Sequence, residues 1–213
     1  MRTAILLLTS AAALGGAVVI DRIAVIVGKS AIKSSDIERD LRLTEFLNRE
    51  PVNLGAQARR KAAERLIDQQ VIRTELATGS YSRATDADAE ALLKRMERDR
   101  FGAVEARISA ELERYGLSKN ELRQQLLWQL TVLRFIQQRF QPGVLVADQD
   151  VRTYYDQHLA DLKRENPRNS SFAALEPKIR DLLTGEDVNK DFEDWLSSAR
   201  ERSHIEYHQA AFQ

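Results

Sequence analysis

The sequence predicts a mainly α protein, a multi-helix bundle with a small β element formed by an N-terminal hairpin and a C-terminal strand. Three observations support this fold class. The 213 residues include four prolines and nine glycines, so long helices can run unbroken. Apolar residues recur at spacings of three and four along much of the chain, which is the period of an amphipathic helix. Short strand-like patterns lie near the two ends of the chain.

Composition excludes several classes of function. The chain has 32 basic and 32 acidic residues. Binding of nucleic acid or of a membrane surface by a polybasic patch needs a basic surplus, so neither is expected. Cysteine is absent, which rules out disulfides, thiolate nucleophiles and zinc–thiolate sites. Hydrophobic residues make up 43% of the chain, enough for a packed core.

The first residues have the layout of a secretory signal. Arg2 supplies a positive start, and the small residues Gly15 to Ala17 follow the apolar run AILLLTSAAA. We expect residues 1–17 to be a signal peptide that is cleaved, leaving an exported protein without a membrane span. The alternative is a retained anchor, because the apolar run continues to Ile20 for about 18 residues, close to the lower limit for a span.

The start of the mature chain predicts a hairpin and a capped helix. Runs rich in β-branched residues and a glycine-first turn suggest the hairpin, with strands at 18–27 and 30–33 and a turn at 28–29. Ser35 and Glu38 have the spacing of a capping box, in which each side chain satisfies a free amide of the other residue. A helix is therefore expected from Ser35 to about Leu47.

Four helical segments are expected next, because glycine, proline and capping residues divide the apolar pattern. They are predicted at about 56–76, 85–101, 104–116 and 118–141. Ser118 and Glu121 form a second predicted capping box. The helix that follows is apolar over more than half of its circumference, so it is either the central helix of the bundle or has a second partner.

The last third of the chain predicts two helices and a strand. One helix is expected from Asp148 to about Lys163, followed by the polar linker ENPRNSS. Apolar residues at helical spacing then continue to Ala199 and predict a long helix, which Gly185 can break or bend. In the final segment, HIEYH from His204 to His208, polar and apolar side chains alternate, which is the pattern of a strand.

No catalytic residue and no cofactor are predicted, because the sequence lacks the phosphate-binding, dinucleotide-binding and nucleophile-elbow motifs. His204, Glu206 and His208 would share one face of a strand, and two imidazoles with a carboxylate could hold a metal ion. The simpler interpretation is that Ile205 and Tyr207 pack inward while the histidine face meets solvent. We therefore predict no metal site.

Large aromatic residues are the candidates for binding other polypeptides. Apolar groups that stay exposed usually mark interaction sites, whereas core packing is the alternative for each of these rings. The six candidates are Trp128, Phe135, Phe140, Tyr154, Tyr155 and Trp195.

The order of these segments resembles that of the SurA-like periplasmic chaperones, the family that carries the SurA N-terminal domain. The family's opening strand, hairpin and capped helix resemble VVIDRIAVIVGKSAIKSSDIERDL, and its second helix resembles ERLIDQQVIRTEL. Its long helix is similar to YGLSKNELRQQLLWQLTVLRFIQQRF. The lead-in to its parvulin domain is similar to VADQDVRTYYDQHL, and its closing helix and strand resemble FAALEPKIRDLLTGEDVNKDFEDWLSSARERSHIEYH.

One departure from the family pattern changes the expected activity. Tyr155 and Phe172 have 16 residues between them. An independent domain needs about 50, so the parvulin prolyl-isomerase domain is expected to be missing. The resemblance implies one chaperone module, with residues 18–165 completed by residues 166–213.

The function that the resemblance implies is ATP-independent binding of unfolded or partly folded outer-membrane and secreted proteins in the periplasm, without a cofactor and without catalysis. Two alternatives stay open. One is an enzyme related to the peptidyl-prolyl isomerases. The other is a non-catalytic envelope adaptor with one dedicated partner.

Overall fold

The computed structural model describes residues 21–165 and 167–212. These residues form eight α-helices and a small antiparallel sheet, which confirms the mainly α fold class. The predicted signal peptide at 1–17 and the first residues of the predicted opening strand lie outside the described ranges. No helix within the described ranges is both long and apolar enough to cross a membrane.

The elements follow one another with short connections. The strands are β1 (Ile23–Val27), β2 (Ser30–Lys33) and β3 (Ile205–Tyr207). The helices are α1 (Ser34–Asn48), α2 (Ala56–Thr78), α3 (Asp86–Phe101), α4 (Glu105–Arg114), α5 (Lys119–Arg139), α6 (Asp148–Gln157), α7 (Leu159–Glu165) and α8 (Phe172–Glu201). Short 3-10 turns cover Gln141–Gly143 and Gln209–Phe212.

The sheet joins segments near the two ends of the described residues. Strand β1 lies in the middle and pairs antiparallel with β2 on one side and β3 on the other. Gly28 has a φ of 58°, the left-handed conformation that glycine adopts without strain, so the predicted hairpin turn is confirmed. The main-chain N–H of Gly28 also donates to the carbonyl of His204 at 2.8 Å. The predicted β element, made from an N-terminal hairpin and a C-terminal strand, is therefore confirmed.

The start of α1 differs from the prediction. The helix begins at Ser34, so the residue that caps it is Lys33, and its N–H donates to the Asp36 carboxylate at 3.0 Å. The predicted Ser35–Glu38 capping box is wrong by register, because the tight hairpin places the cap two residues earlier, at Lys33 and Asp36. The Ser35 hydroxyl donates instead to the carboxylate of Asp21 at 2.6 Å.

The second predicted capping box is confirmed. The N–H of Ser118 donates to Glu121 Oε2 at 2.8 Å, and the N–H of Glu121 donates back to Ser118 Oγ at 3.2 Å. Thr85 and Asp88 make the same reciprocal pair at the start of α3, with N–H···O distances of 2.7 and 3.2 Å. Each pair satisfies amides that have no partner inside the helix.

The C-terminal third differs from the prediction at two places. The single helix expected from Asp148 to about Lys163 is divided at His158 into α6 and α7. This turn brings Leu162 of α7 into the same apolar cluster as Val151 of α6. Helix α8, in contrast, is unbroken for 30 residues and passes through both Pro177 and Gly185.

The described residues form four apolar core clusters, and α8 connects three of them. The first lies between the sheet, α1 and α2, and the second lies between α1, α3, α4 and α5. The third joins α2, α5 and α8, and the fourth joins α6, α7 and the start of α8. Along α8, Ile179 lies in the fourth cluster, Val188 lies in the third, and Ala199 packs against the first. This long helix therefore holds the C-terminal segments against the N-terminal ones.

Candidate functional site

Two of the six aromatic candidates are core residues. Phe135 is fully buried and Phe140 is 9% exposed. The ring of Phe135 makes edge-to-face contacts with Tyr81 and Trp195 at centroid distances of 4.9 and 5.3 Å. The expectation that these two rings face another polypeptide is wrong for the folded chain. The reason is that α5 is covered by both α2 and α8, so its large apolar surface is used within the bundle.

Three further candidates are half-buried and join elements of the fold. Trp195 packs against the first and third clusters. The Tyr155 hydroxyl donates to the carbonyl of Ser170 at 2.7 Å, and its ring meets Phe172 edge-on at 5.3 Å. Tyr154 packs against the fourth cluster, so both tyrosines hold α6 against the start of α8. A role for these three residues in binding another polypeptide stays a prediction.

Trp128 differs from the other candidates, because its half-buried ring borders two cavities. The first cavity has a volume of about 540 Å³ and the second of about 440 Å³. Arg73, Gln124 and Trp128 line both of them. The guanidinium carbon of Arg73 lies over the indole at 3.9 Å from the ring centroid. We call the two cavities together the α2–α5 groove, since α2 and α5 supply the stacked pair that joins them.

The first cavity is bordered by ion pairs on its α1 side. Arg39 pairs with Asp36 and with Glu121, each at 3.2 Å between nitrogen and oxygen. Asp40 pairs with Arg65 at 2.5 Å. The Asp40 side chain is only 6% exposed, and this burial raises the pKa of its carboxyl although Arg65 acts in the opposite direction. The carboxylates at this end therefore already have partners.

Side-chain amides form a large part of the first cavity's wall. The amide residues are Gln69, Gln70, Asn120, Gln124 and Gln125. The Gln70 amide donates to the Ser30 hydroxyl at 2.9 Å. Within the part of the chain that the structure describes, the amides of Gln124 and Gln125 have no hydrogen-bond partner. Each amide offers one acceptor and two donor hydrogens, so it can pair with either the N–H or the C=O of a peptide group.

The sequence-based reasoning missed these glutamines. A signal was present, because both α2 and α5 carry a glutamine doublet, at 69–70 and at 124–125. The doublets lie more than 50 residues apart in the sequence, so the pattern alone did not indicate that they border one cavity.

The three residues considered as metal ligands do not form a site. His208 Nε2 lies 3.6 Å from Glu206 Oε1, and in residues 21–165 and 167–212 there is no group of three or more His, Cys, Asp or Glu side chains that could hold a metal ion. Ile205 packs against the first cluster as expected. The expected burial of Tyr207 is wrong. Its side chain is 39% exposed, because its hydroxyl reaches outward to donate to Glu64 at 2.9 Å.

The fold and the groove define a mainly helical protein whose small sheet pairs β1 with β3, with an amide-rich cleft beside a stacked tryptophan and arginine. Comparison with known proteins adds no family to this description: no protein-family model matches the chain, and no curated protein matches it either. The geometry of the groove and the resemblance of the sequence segments are therefore the features of this chain that bear on its function.

Proposed function

We propose that the protein is an ATP-independent chaperone of the bacterial periplasm that binds extended segments of unfolded outer-membrane and secreted proteins in the α2–α5 groove. One observation carries the proposal. The exposed amide of Gln124 and the stacked pair Arg73–Trp128 border both cavities of the groove, so polar and apolar binding groups face the same space.

The chemistry of the groove suits an extended polypeptide. Unfolded segments carry unpaired main-chain N–H and C=O groups at every residue, and glutamine amides can satisfy both kinds. Their side chains include aromatic and aliphatic groups, for which the groove offers Trp128, Leu66 and Leu127. Cavities of a few hundred cubic ångströms are of the size that binds several side chains or a small ligand.

Binding of this kind needs no nucleotide. A disordered segment loses conformational freedom when it is bound, and this loss offsets part of the favourable contact energy. The resulting affinity is modest, and a client protein can leave when it folds or passes to a membrane. The resemblance to the SurA-like chaperones and the signal-like residues 1–17 support the periplasmic location within this proposal.

The test is suppression of aggregation. An unfolded outer-membrane protein is diluted from urea into buffer, and light scattering is followed with and without the purified protein. We expect the wild-type protein to slow aggregation and Trp128→Ala to lose most of this protection, because the substitution removes the apolar surface shared by both cavities. Urea unfolding of each variant shows whether its fold is retained.

A matched pair of glutamine variants separates the groove from the rest of α5. Gln124 and Gln137 are both exposed on this helix, and Gln124 lines the groove whereas Gln137 does not line either cavity. Gln124→Ala is expected to weaken protection, and Gln137→Ala is expected to leave it unchanged. Equal effects of the two substitutions would place the binding surface elsewhere.

Other outcomes would favour the alternatives. A wild-type protein that does not slow aggregation, but retains one partner stably through purification, would be an adaptor. A clear acceleration of proline isomerisation in a tetrapeptide, abolished by substitution of one residue, would make the protein an enzyme.

A further inference from the structure

The two cavities of the α2–α5 groove differ in charge. The first cavity is bordered by the carboxylates of Asp36, Asp40 and Glu121. The second cavity is bordered by two guanidinium groups, those of Arg73 and Arg83, and no carboxylate is among the described residues that line it. The second cavity is therefore positive and contains no counter-charge of its own.

Neither arginine of the second cavity has an acidic partner among the residues that the structure describes. Within residues 21–165 and 167–212, no ion pair includes Arg73 or Arg83. Arg73 is held by its stacking on Trp128. Arg83 donates from Nη2 to the carbonyl of Leu76 at 2.9 Å, a bond that occupies one of its five N–H groups.

The acidic residues on the adjoining turns are engaged with other cations. Glu75, next to Leu76 on α2, pairs with Arg139. Asp86 pairs with Arg123 at 2.5 Å, and Asp88 pairs with Arg134 at 3.0 Å. These carboxylates therefore pair with other arginines and do not neutralise Arg73 and Arg83. The positive charge of the second cavity is available to bind a ligand.

We propose that the second cavity selects client segments in which an acidic side chain, Asp or Glu, lies beside an apolar side chain. A guanidinium binds a carboxylate through two parallel charge-assisted hydrogen bonds, and the position of the Arg73 guanidinium over the Trp128 ring restrains it before the ligand arrives. Leu76 and Leu127 supply the apolar wall next to the two arginines. This inference rests on the proposed chaperone function and adds a preference to it.

The position of Arg73 indicates that the carboxylate belongs to a side chain and not to a chain terminus. Arg73 lies where the two cavities meet. A segment that occupies both cavities passes this point with its main chain continuing in both directions. The carboxylate that meets Arg73 is therefore carried by an internal residue.

The test uses two short peptides of equal length, acetylated and amidated at their ends, that differ by Glu or Gln at one central position between Phe and Leu. Binding is measured by fluorescence anisotropy. We expect the Glu peptide to bind about tenfold more tightly to the wild-type protein, as one charge-assisted pair contributes. Arg83→Gln and Arg73→Gln are expected to reduce this ratio to near one.

Arg95→Gln is the matched control, because Arg95 is exposed on α3 and does not line the groove. It is expected to retain the tenfold ratio. Arg83→Gln keeps the Arg73–Trp128 stack, so it tests the charge of the cavity even if Arg73→Gln disturbs the fold. Added salt is expected to lower the ratio for the wild-type protein, since screening weakens an exposed charge pair.

The outcomes separate this inference from the proposed function. If both peptides bind equally and Gln124→Ala weakens both, the acidic preference is wrong and the chaperone proposal stands. A Gln peptide with a free C-terminal carboxylate that binds as tightly as the Glu peptide would overturn the assignment to a side chain. If neither peptide binds the wild-type protein, the proposed function and the inference fail together.

Discussion

Phe135 is one of the fully buried large side chains of α5. It meets the rings of Tyr81, Phe140 and Trp195 at centroid distances of 4.9, 5.9 and 5.3 Å. These edge-to-face contacts place the positive edge of one ring against the negative face of another, which adds stabilisation to the burial of apolar area. Leu133, two residues earlier on the same helix, is 51% exposed.

Replacing Phe135 with alanine is expected to destabilise the fold by about 3–5 kcal/mol, because the loss of a buried ring leaves a cavity that its neighbours fill incompletely. Urea unfolding followed by circular dichroism measures the change. Leu133→Ala is the control and is expected to change stability by less than about 1 kcal/mol, as exposed positions do. Comparable losses for the two variants would contradict the burial of Phe135.

At the scale of elements, the stability of α5 depends on the hydrogen bonds that cap its first turn. Ser118 and Glu121 satisfy each other's main-chain amides. The N–H and the hydroxyl of Ser118 both donate to the Glu121 carboxylate, and these two bonds lower the pKa of that carboxyl because they favour its charged form. Arg39 of α1 also pairs with Glu121 at 3.2 Å. The cap therefore fixes the start of α5 and at the same time ties it to α1 beside the first cavity.

Ser118→Ala is expected to reduce the free energy of unfolding by about 0.5–2 kcal/mol, the usual effect of removing a serine N-cap. Thermal or urea unfolding is the measurement. The same substitution at Ser197, which is exposed in the interior of α8, is expected to cause no loss, because alanine is the better helix former at such a position. A loss at Ser197 equal to that at Ser118 would show that the cap has no special role.

At the scale of the whole molecule, the last residues of the chain complete the first cluster. Phe212 is 3% exposed, and β3 pairs along β1. Arg200 of α8 pairs with Glu64 and with Asp68 of α2, each at 2.5 Å. The two termini of the described chain are therefore held together by apolar contacts, main-chain hydrogen bonds and ion pairs.

Deletion of residues 205–213 is expected to destabilise the fold by more than about 3 kcal/mol, because it exposes the first cluster and leaves one edge of β1 without a partner. Phe212→Ala tests the apolar part separately and is expected to cost about 3–5 kcal/mol. Urea unfolding of the three proteins gives the comparison. A truncated protein as stable as the intact chain would show that the tail is an appendage.

Features that depend on a few neighbouring residues were predictable from the sequence. The Ser118–Glu121 cap, the turn at Gly28 and the positions of α2 and α5 follow from local hydrogen bonding and from the helical period. The cap of α1 was misplaced by two residues, because the hairpin before it determines where the helix begins. The division of α6 from α7 was also missed, since the contact between Leu162 and the fourth cluster has no local signal.

The α2–α5 groove depends on segments that are distant in the sequence, so its composition was not predictable. The amphipathic pattern of α5 could not distinguish the buried ring of Phe135 from the half-buried ring of Trp128, because both belong to the same broad apolar stripe. Which ring is covered depends on where α2 and α8 cross the helix. The pairing of Arg73 with Trp128 is likewise a product of that crossing.

The amino-acid sequence was sufficient for most of the helices, the hairpin, the closing strand and the absence of thiol chemistry, because short-range hydrogen bonding, side-chain period and composition decide these properties. The tertiary structure decided which aromatic rings are buried, where the unpaired amides face a cavity and which arginines lack acidic partners. Those properties arise when distant segments exclude water from one another, and burial of this kind is a property of the assembled chain and not of any local stretch.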